Sequence, residues 1–256
     1  MTQRARQGHR VVFVDADNTL WDTDGVFAAA QLNMLTRVEA AIGRSATGAD
    51  RLAFVRAVDQ ALAEGHHLGL RYPPSLLATA LAYALRGAEA RVAARQAWAV
   101  GTNSAGVEPV LAEQIALEFT RHTQHLPDLL PGVREGLQRM FDAGVLILVV
   151  TEGARRRVSK TAQEHDLTKL FDRIIEAPKS ERLFRRVQKL RRVCLPAFVI
   201  GDQLGRDIEP AKAAGLVTIY APSHFRPQWE PDEIAVRPDY RVDRFDQAAD
   251  IILAAD

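Results

Sequence analysis

Val11-Val12-Phe13-Val14-Asp15-Ala16-Asp17-Asn18-Thr19 is the stretch on which the reading of this chain turns. Four apolar residues follow one another without alternation and lead straight into two aspartates. An unbroken apolar run of this length suits a strand buried on both faces, as in a parallel sheet. Similar runs recur downstream at 145–150, 174–175, 197–200 and 217–220. Helical spacing separates them at 133–143, 156–165, 180–192 and 208–214. Gly144 and Gly215 each follow such a helix and precede a strand, as helix-stopping glycines do. The alternation predicts an α/β fold with a doubly wound parallel sheet. A short last strand at 239–242 and a helix at 245–254 complete it.

The segment 24–125 departs from this pattern. It has no strand-like run, and it is rich in Ala, Leu, Arg and Gln. Apolar residues recur at helical spacing over 27–42, 51–63, 76–85, 88–100 and 107–122. Pro73-Pro74 and the stretch 101–106 punctuate it. The predicted organisation is a core of residues 1–23 and 126–256 interrupted by an all-helical domain, 24–125. The stretch 222–238, rich in Pro and carrying Trp229, reads as a loop.

In open α/β sheets, sites form at the carboxyl ends of strands. Three predicted strands end there in polar residues: Asp15 to Thr19, Thr151-Glu152-Gly153, and Gly201-Asp202 leading on to Asp207. Between the last two lies Lys179. An ionised carboxylate at a strand end is costly unless paired or bound to a metal. Asp15, Asp17, Asp202 and Asp207 gathered on one edge therefore ask for a cation.

With these residues in place, the chain resembles the haloacid dehalogenase superfamily, and the resemblance spans the whole core in order. Asp15, Asp17 and Thr19 match its Asp-x-Asp-x-Thr motif, and Thr151 matches the Thr or Ser that follows the second strand. Lys179 matches the Lys near a helix start. Gly201, Asp202 and Asp207 match the Gly-Asp motif with a second Asp after four intervening residues. One short motif is a modest signal, whereas the whole set in order is a strong one. Asn18 stands where relatives often have Gly or Asp, and Gln203 where Ser or Thr is common.

The resemblance implies a phosphatase whose cofactor is Mg2+. The ion would be held by Asp15, the backbone carbonyl of Asp17 and Asp202. Asp15 would be the nucleophile that becomes phosphorylated, and Asp17 the acid–base partner. Thr151, with the backbone of Glu152 and Gly153, would bind the phosphate, and Lys179 would supply positive charge. Asp207 would either orient Lys179 or support the metal, and Thr19 would hydrogen-bond the loop. The inserted helices would form a cap that closes over the site and selects the leaving group, with Arg56, His66, His67 and Arg71 as candidates. Trp21 and Asp24 would line the entrance. A phosphomutase, a dehalogenase or a binding protein on the same scaffold are the alternatives; the presence of Asp17 speaks against a dehalogenase.

The bulk properties agree with a small-molecule enzyme. The 256 residues are 47% hydrophobic and 25% charged, with a formal net charge of +1. No global field favours nucleic acid or a membrane surface. The partner expected is a small phosphorylated metabolite, and a homodimer through the cap is left open. Arg155 to Arg157 and the basic stretch 182–192 read as solvated helix faces, the second with Leu183, Phe184, Val187 and Leu190 turned inward. Cys194 is the single cysteine, so no intrachain disulfide forms, and it reads as a buried structural thiol. The N-terminal residues 1–10 are polar and basic, the apolar run after them is too short for a signal peptide, and a cytoplasmic location is expected.

Overall fold

The computed structural model describes residues 10–64, 72–100, 106–191 (side chains to 190) and 196–255. His66, His67, Arg71, Arg192 and Cys194 lie outside them. The chain divides into two compact units. The first comprises Met1–Asp24, Leu126–Arg226 and Glu230–Asp256, and the second Gly25–His125 with Pro227–Trp229.

The first unit is built on a six-stranded sheet in the order β3-β2-β1-β4-β5-β6. These strands are β1 (Val11–Val14), β2 (Leu146–Thr151), β3 (Arg173–Glu176), β4 (Phe198–Gly201), β5 (Val217–Tyr220) and β6 (Tyr240–Arg241). Every neighbouring pair is parallel. Val14 pairs with Val149 on one side and Ile200 on the other. This is the doubly wound order, which reverses direction between β1 and β4, so the loops leaving those two strands part and open a crevice.

Both faces of the four inner strands β2, β1, β4 and β5 are buried, which is why they read as largely apolar runs. Val12, Val14, Ile147, Val149, Phe198 and Ile200 share a core with Val133, Leu137 and Met140 of α6 (Val133–Asp142), and with Phe245, Ala248 and Ile252 of α10 (Phe245–Ala254). The alternate residues Val11, Phe13, Leu148, Val150 and Val199 point the other way. They meet Phe184 and Val187 of α8 (Glu181–Arg191). Phe13 and Phe184 pack edge to face with ring centroids 5.4 Å apart. On α8, the sequence expectation fails at Leu190, which is 71% exposed rather than turned inward. Arg10, just before β1, donates from Nη1 to the carbonyls of Ile252 (3.0 Å) and Leu253 (2.8 Å), and from Nη2 to that of Ala255. It thus satisfies carbonyls that the end of α10 would otherwise leave unpaired.

The second unit is helical: most of α1 (Thr23–Ile42), with α2 (Arg51–Ala63), α3 (Pro74–Leu85), α4 (Ala90–Val100) and α5 (Pro109–His122). Its own apolar cluster centres on α3, where Leu77, Ala78, Ala80 and Leu81 are buried beside Met34, Leu35, Val55 and Ile115. Asp50 caps α2 by accepting from Ala53 N at 2.8 Å. Gln228 joins this unit through a 2.7 Å bond from its N–H to Gln60 Oε1.

One carboxylate is lodged in this helical unit. Asp59 accepts from the Tyr72 hydroxyl and is hydrogen-bonded by Gln31. Burial pushes its carboxyl up from 3.8 to about 6, against the opposing pull of Arg56 and Gln31. Between those values the folded chain holds a proton that the unfolded chain has released, so this contribution to stability falls as pH rises through the window. Asp59→Asn removes it. The variant's stability relative to the parent should therefore climb from about pH 4 to about pH 6 and level off above about pH 7. Denaturant melts across that range measure it, and a pH-independent difference would refute the assignment.

Candidate active site

The loops after β1, β2 and β4, and the one before α8, each bring polar groups to the carboxyl edge of the sheet. Asp15 follows β1 directly, and its N–H continues the sheet by donating to Ile200 O at 2.9 Å. The chain then turns tightly: Asn18 takes a positive φ of 62°, its N–H donates to Trp21 O (2.8 Å), and its Oδ1 accepts from Asp24 N (2.7 Å). Asn tolerates this left-handed conformation better than most residues.

Lys179 is the centre of the arrangement. Its ammonium is buried, with 6% of the side chain exposed, and it donates to Asp15 Oδ1 and to Asp207 Oδ1, the latter at 2.5 Å. Asp202 completes the group. Carboxylate oxygens of Asp15, Asp202 and Asp207 all lie within 4.8 Å of one another, and all three residues are buried. Burial is the main cause that lifts the Asp15 carboxyl to about 7, with neighbouring Asp207 adding to it and Lys179 opposing. Asp202 is raised for the same reason, with Asp15 and Asp207 as repelling neighbours. Burial works against the Lys179 ammonium, but Asp15 and Asp207 outweigh it and hold the proton more firmly than usual. One ammonium among these carboxylates leaves an excess of negative charge, and hard oxygen donors so arranged suit a divalent cation such as Mg2+.

Asp207 reaches this position through a feature that the sequence did not reveal. It sits inside a π-helical turn, Leu204–Ile208, ahead of the short α9 (Glu209–Ala213). Its Oδ2 accepts from Gln203 N at 3.0 Å, and its side chain lies against Gly201, where an added Cβ would stand 2.3 Å from the Cβ of Asp207. Glycine is required here by close approach.

Thr151 ends β2 buried, and its Oγ1 accepts from Gly153 N at 2.9 Å, curling the loop that leads to α7 (Arg155–Glu164). The Glu152 carboxylate turns away to accept from Lys179 N at 3.0 Å and to pair with Arg206 at 3.0 Å. Any contact of Glu152 with an anion therefore falls to its backbone. Thr19 is buried, but its Oγ1 has no hydrogen-bond partner among the described residues, which corrects the expectation that it bonds the loop.

Asp17 stands apart from the lysine. It accepts from Trp21 Nε1 at 3.1 Å and from Thr23 Oγ1 at 2.7 Å, and the guanidinium of Arg157 forks onto both its oxygens, with Nη1 to Oδ1 at 2.9 Å. Burial pulls the Asp17 carboxyl up, but Arg157, Thr23 and Trp21 outweigh it and set it below the ordinary range. One sequence expectation changes: Trp21 is fully buried and serves Asp17 rather than lining an entrance. Arg155 to Arg157 are exposed as expected, but Arg157 also reaches Asp17 from that face.

The tight seat of Asp207 makes a stability prediction. Gly201→Ala should destabilise the protein by about 1–3 kcal/mol, the usual range for overpacking a closed site. Urea denaturation measures it, and an unchanged midpoint would mean that Asp207 is free to move aside.

The comparisons with known proteins converge on this reading. A family model described as haloacid dehalogenase-like hydrolase matches residues 9–215. Among relatives, a phosphoglycolate phosphatase of Pseudomonas savastanoi pv. phaseolicola is 30% identical over 198 residues, 72% of this chain and 70% of that protein. Its counterpart in Pseudomonas syringae pv. syringae is 29% identical over the same coverage. Among solved structures, a haloacid dehalogenase-like family hydrolase from Xanthomonas campestris matches with a TM-score of 0.62 at 20% identity, covering 97% of this chain and 96% of that one. A HAD hydrolase of Bacillus subtilis bound to magnesium matches with a TM-score of 0.62 at 19% identity, covering 96% and 99%. Motif order, sheet topology and the family match together place this chain in the haloacid dehalogenase-like hydrolase family.

Proposed function

We propose that this hydrolase is a magnesium-dependent phosphomonoesterase that works through a phosphorylated Asp15 on a small phosphorylated metabolite. The observation that carries this reading is the buried group of Asp15, Asp202 and Asp207, whose oxygens lie within 4.8 Å of one another around one ammonium. Asp15, Asp202 and the backbone carbonyl of Asp17 are the groups that would hold Mg2+. The ion would supply charge neutralisation that lets an anionic carboxylate approach an anionic phosphoryl group.

The chain's own residues then divide the work. Asp15 attacks phosphorus, the bond from phosphorus to the leaving alcohol breaks, and Asp17 protonates the departing oxygen. Water next attacks the phosphorus of the aspartyl phosphate and passes a proton to Asp17. The Asp15 carboxylate is restored and inorganic phosphate leaves. Thr151 and the backbone N–H groups of Glu152 and Gly153 hold phosphoryl oxygens. Lys179 offsets charge on Asp15 and on the phosphate, and Asp207 keeps its ammonium in place. The helical unit, as a cap, selects the leaving group. The names of the relatives make phosphoglycolate the first substrate to try. The expected location is the cytoplasm.

The test is hydrolysis of an aryl phosphate and of a panel of phosphorylated metabolites, with Mg2+ and with chelator. The wild type should turn over only with the metal. Asp15→Asn should fall to background, and Asp17→Asn should lose about 10²–10⁴ in kcat, the usual worth of a general acid–base. A wild type inactive on every phosphate ester with Mg2+, or a fully active Asp15→Asn variant, would overturn the reading.

A further inference from the structure

We propose that Arg157 is a phosphate-binding arm, parked on Asp17 until a phosphoryl group arrives and then drawn onto it. The inference rests on the phosphohydrolase reading and adds to it a residue outside the four motifs.

Three observations carry it. The first is saturation. A carboxylate offers about four lone-pair sites. Asp17 already accepts two bonds from the Arg157 fork, one from Trp21 and one from Thr23. Three of these bonds fall on Oδ1, whereas Oδ2 accepts from Arg157 alone, so the oxygen with room for the transferable proton is the one that the guanidinium covers. Trp21 is fully buried and its indole is fixed by packing, whereas 42% of the Arg157 side chain is exposed. Arg157 is the donor with freedom to move.

The second is location. A Cβ placed on Gly153 would stand 2.7 Å from Arg157 Nη2, 3.1 Å from Asp17 Oδ2 and 3.2 Å from Thr151 Oγ1. The guanidinium, the Asp17 carboxylate and the Thr151 hydroxyl therefore converge on one small space, which exists because residue 153 has no side chain. A phosphoryl group held by Thr151 would lie beside this cation.

The third is chemistry. Guanidinium binds phosphate oxygens in the same forked geometry that it uses for a carboxylate, so the arm can pass from one anion to the other without losing its pairing. The exchange neutralises phosphoryl charge and releases Asp17 in one movement. The resting pair also keeps a buried acid from standing uncompensated.

The experiment uses the full chain with Mg2+ and inorganic phosphate as probe. Dissociation constants come from calorimetry, and KM and kcat from aryl phosphate turnover. Arg157→Gln should weaken phosphate binding by about 10-fold or more, as expected for a lost charge-assisted hydrogen bond, with KM rising in parallel. Arg157→Lys, which keeps the charge without the fork, should recover part of the loss and guards against a folding defect. Asp17→Asn frees the arm, so it should tighten phosphate binding more in the wild-type background than in the Arg157→Gln background. If Arg157 only positions Asp17, kcat will fall while phosphate affinity stays unchanged and shows no coupling between the two substitutions; that result overturns the proposal. A wild type that neither binds phosphate nor hydrolyses esters overturns the phosphohydrolase reading itself, a distinguishable outcome.

Discussion

A buried ammonium shared by two carboxylates holds this site together. Lys179 sits between Asp15, just after β1, and Asp207, in the turn after β4, and each side chain depends on the others for its right to be buried. Removing one member of such a set strands charge in a low-dielectric interior. The sheet topology meets this demand. Because β1 and β4 are neighbours where the winding reverses, Asp15 and Asp202 arrive side by side, and the open crevice leaves room for Lys179 to enter ahead of α8.

The two aspartates of the first motif, only two residues apart, are shifted in opposite directions by their surroundings. Asp15 is raised because burial and its acidic neighbours exceed what one lysine offsets. Asp17 is lowered because a forked guanidinium, a hydroxyl and an indole N–H all favour its charged form. Simple alternation would put residues two apart on one face; the tight turn that follows, with Asn18 at positive φ, instead carries Asp17 to Trp21, Thr23 and Arg157 while Asp15 stays with Lys179.

Much of this architecture was legible in the sequence, for identifiable reasons. The strands announced themselves because sheets covered on both faces need continuous apolar runs, and the helical unit because leucines and alanines recur at helical spacing. Asp15, Lys179, Asp202 and Asp207 could be gathered on one edge because strand ends set their positions. Features that depend on helix phase or local winding stayed hidden. Nothing in Arg155-Arg156-Arg157 says which arginine points at Asp17, since each step around a helix turns the side chain to a new direction. The π-helical turn at Leu204–Ile208 looked like a loop followed by a helix, yet its winding brings Asp207 against Gly201. Trp21 resembled a rim residue because the tight turn that buries it rests on the conformation of Asn18.

The clasp of Arg10 on the last turn of α10 bears on how the chain is made. In the order of synthesis β1 precedes both its neighbours in the sheet, which are encoded beyond the helical unit, and the carbonyls that Arg10 grips follow later still. Domains tend to fold as units in the order they leave the ribosome. The helical unit, with an apolar core of its own, can mature while β1 waits unpaired at the tunnel's mouth. The nascent polypeptide therefore carries its acidic rim in an unassembled state until β2 and β4 have emerged behind the helical unit.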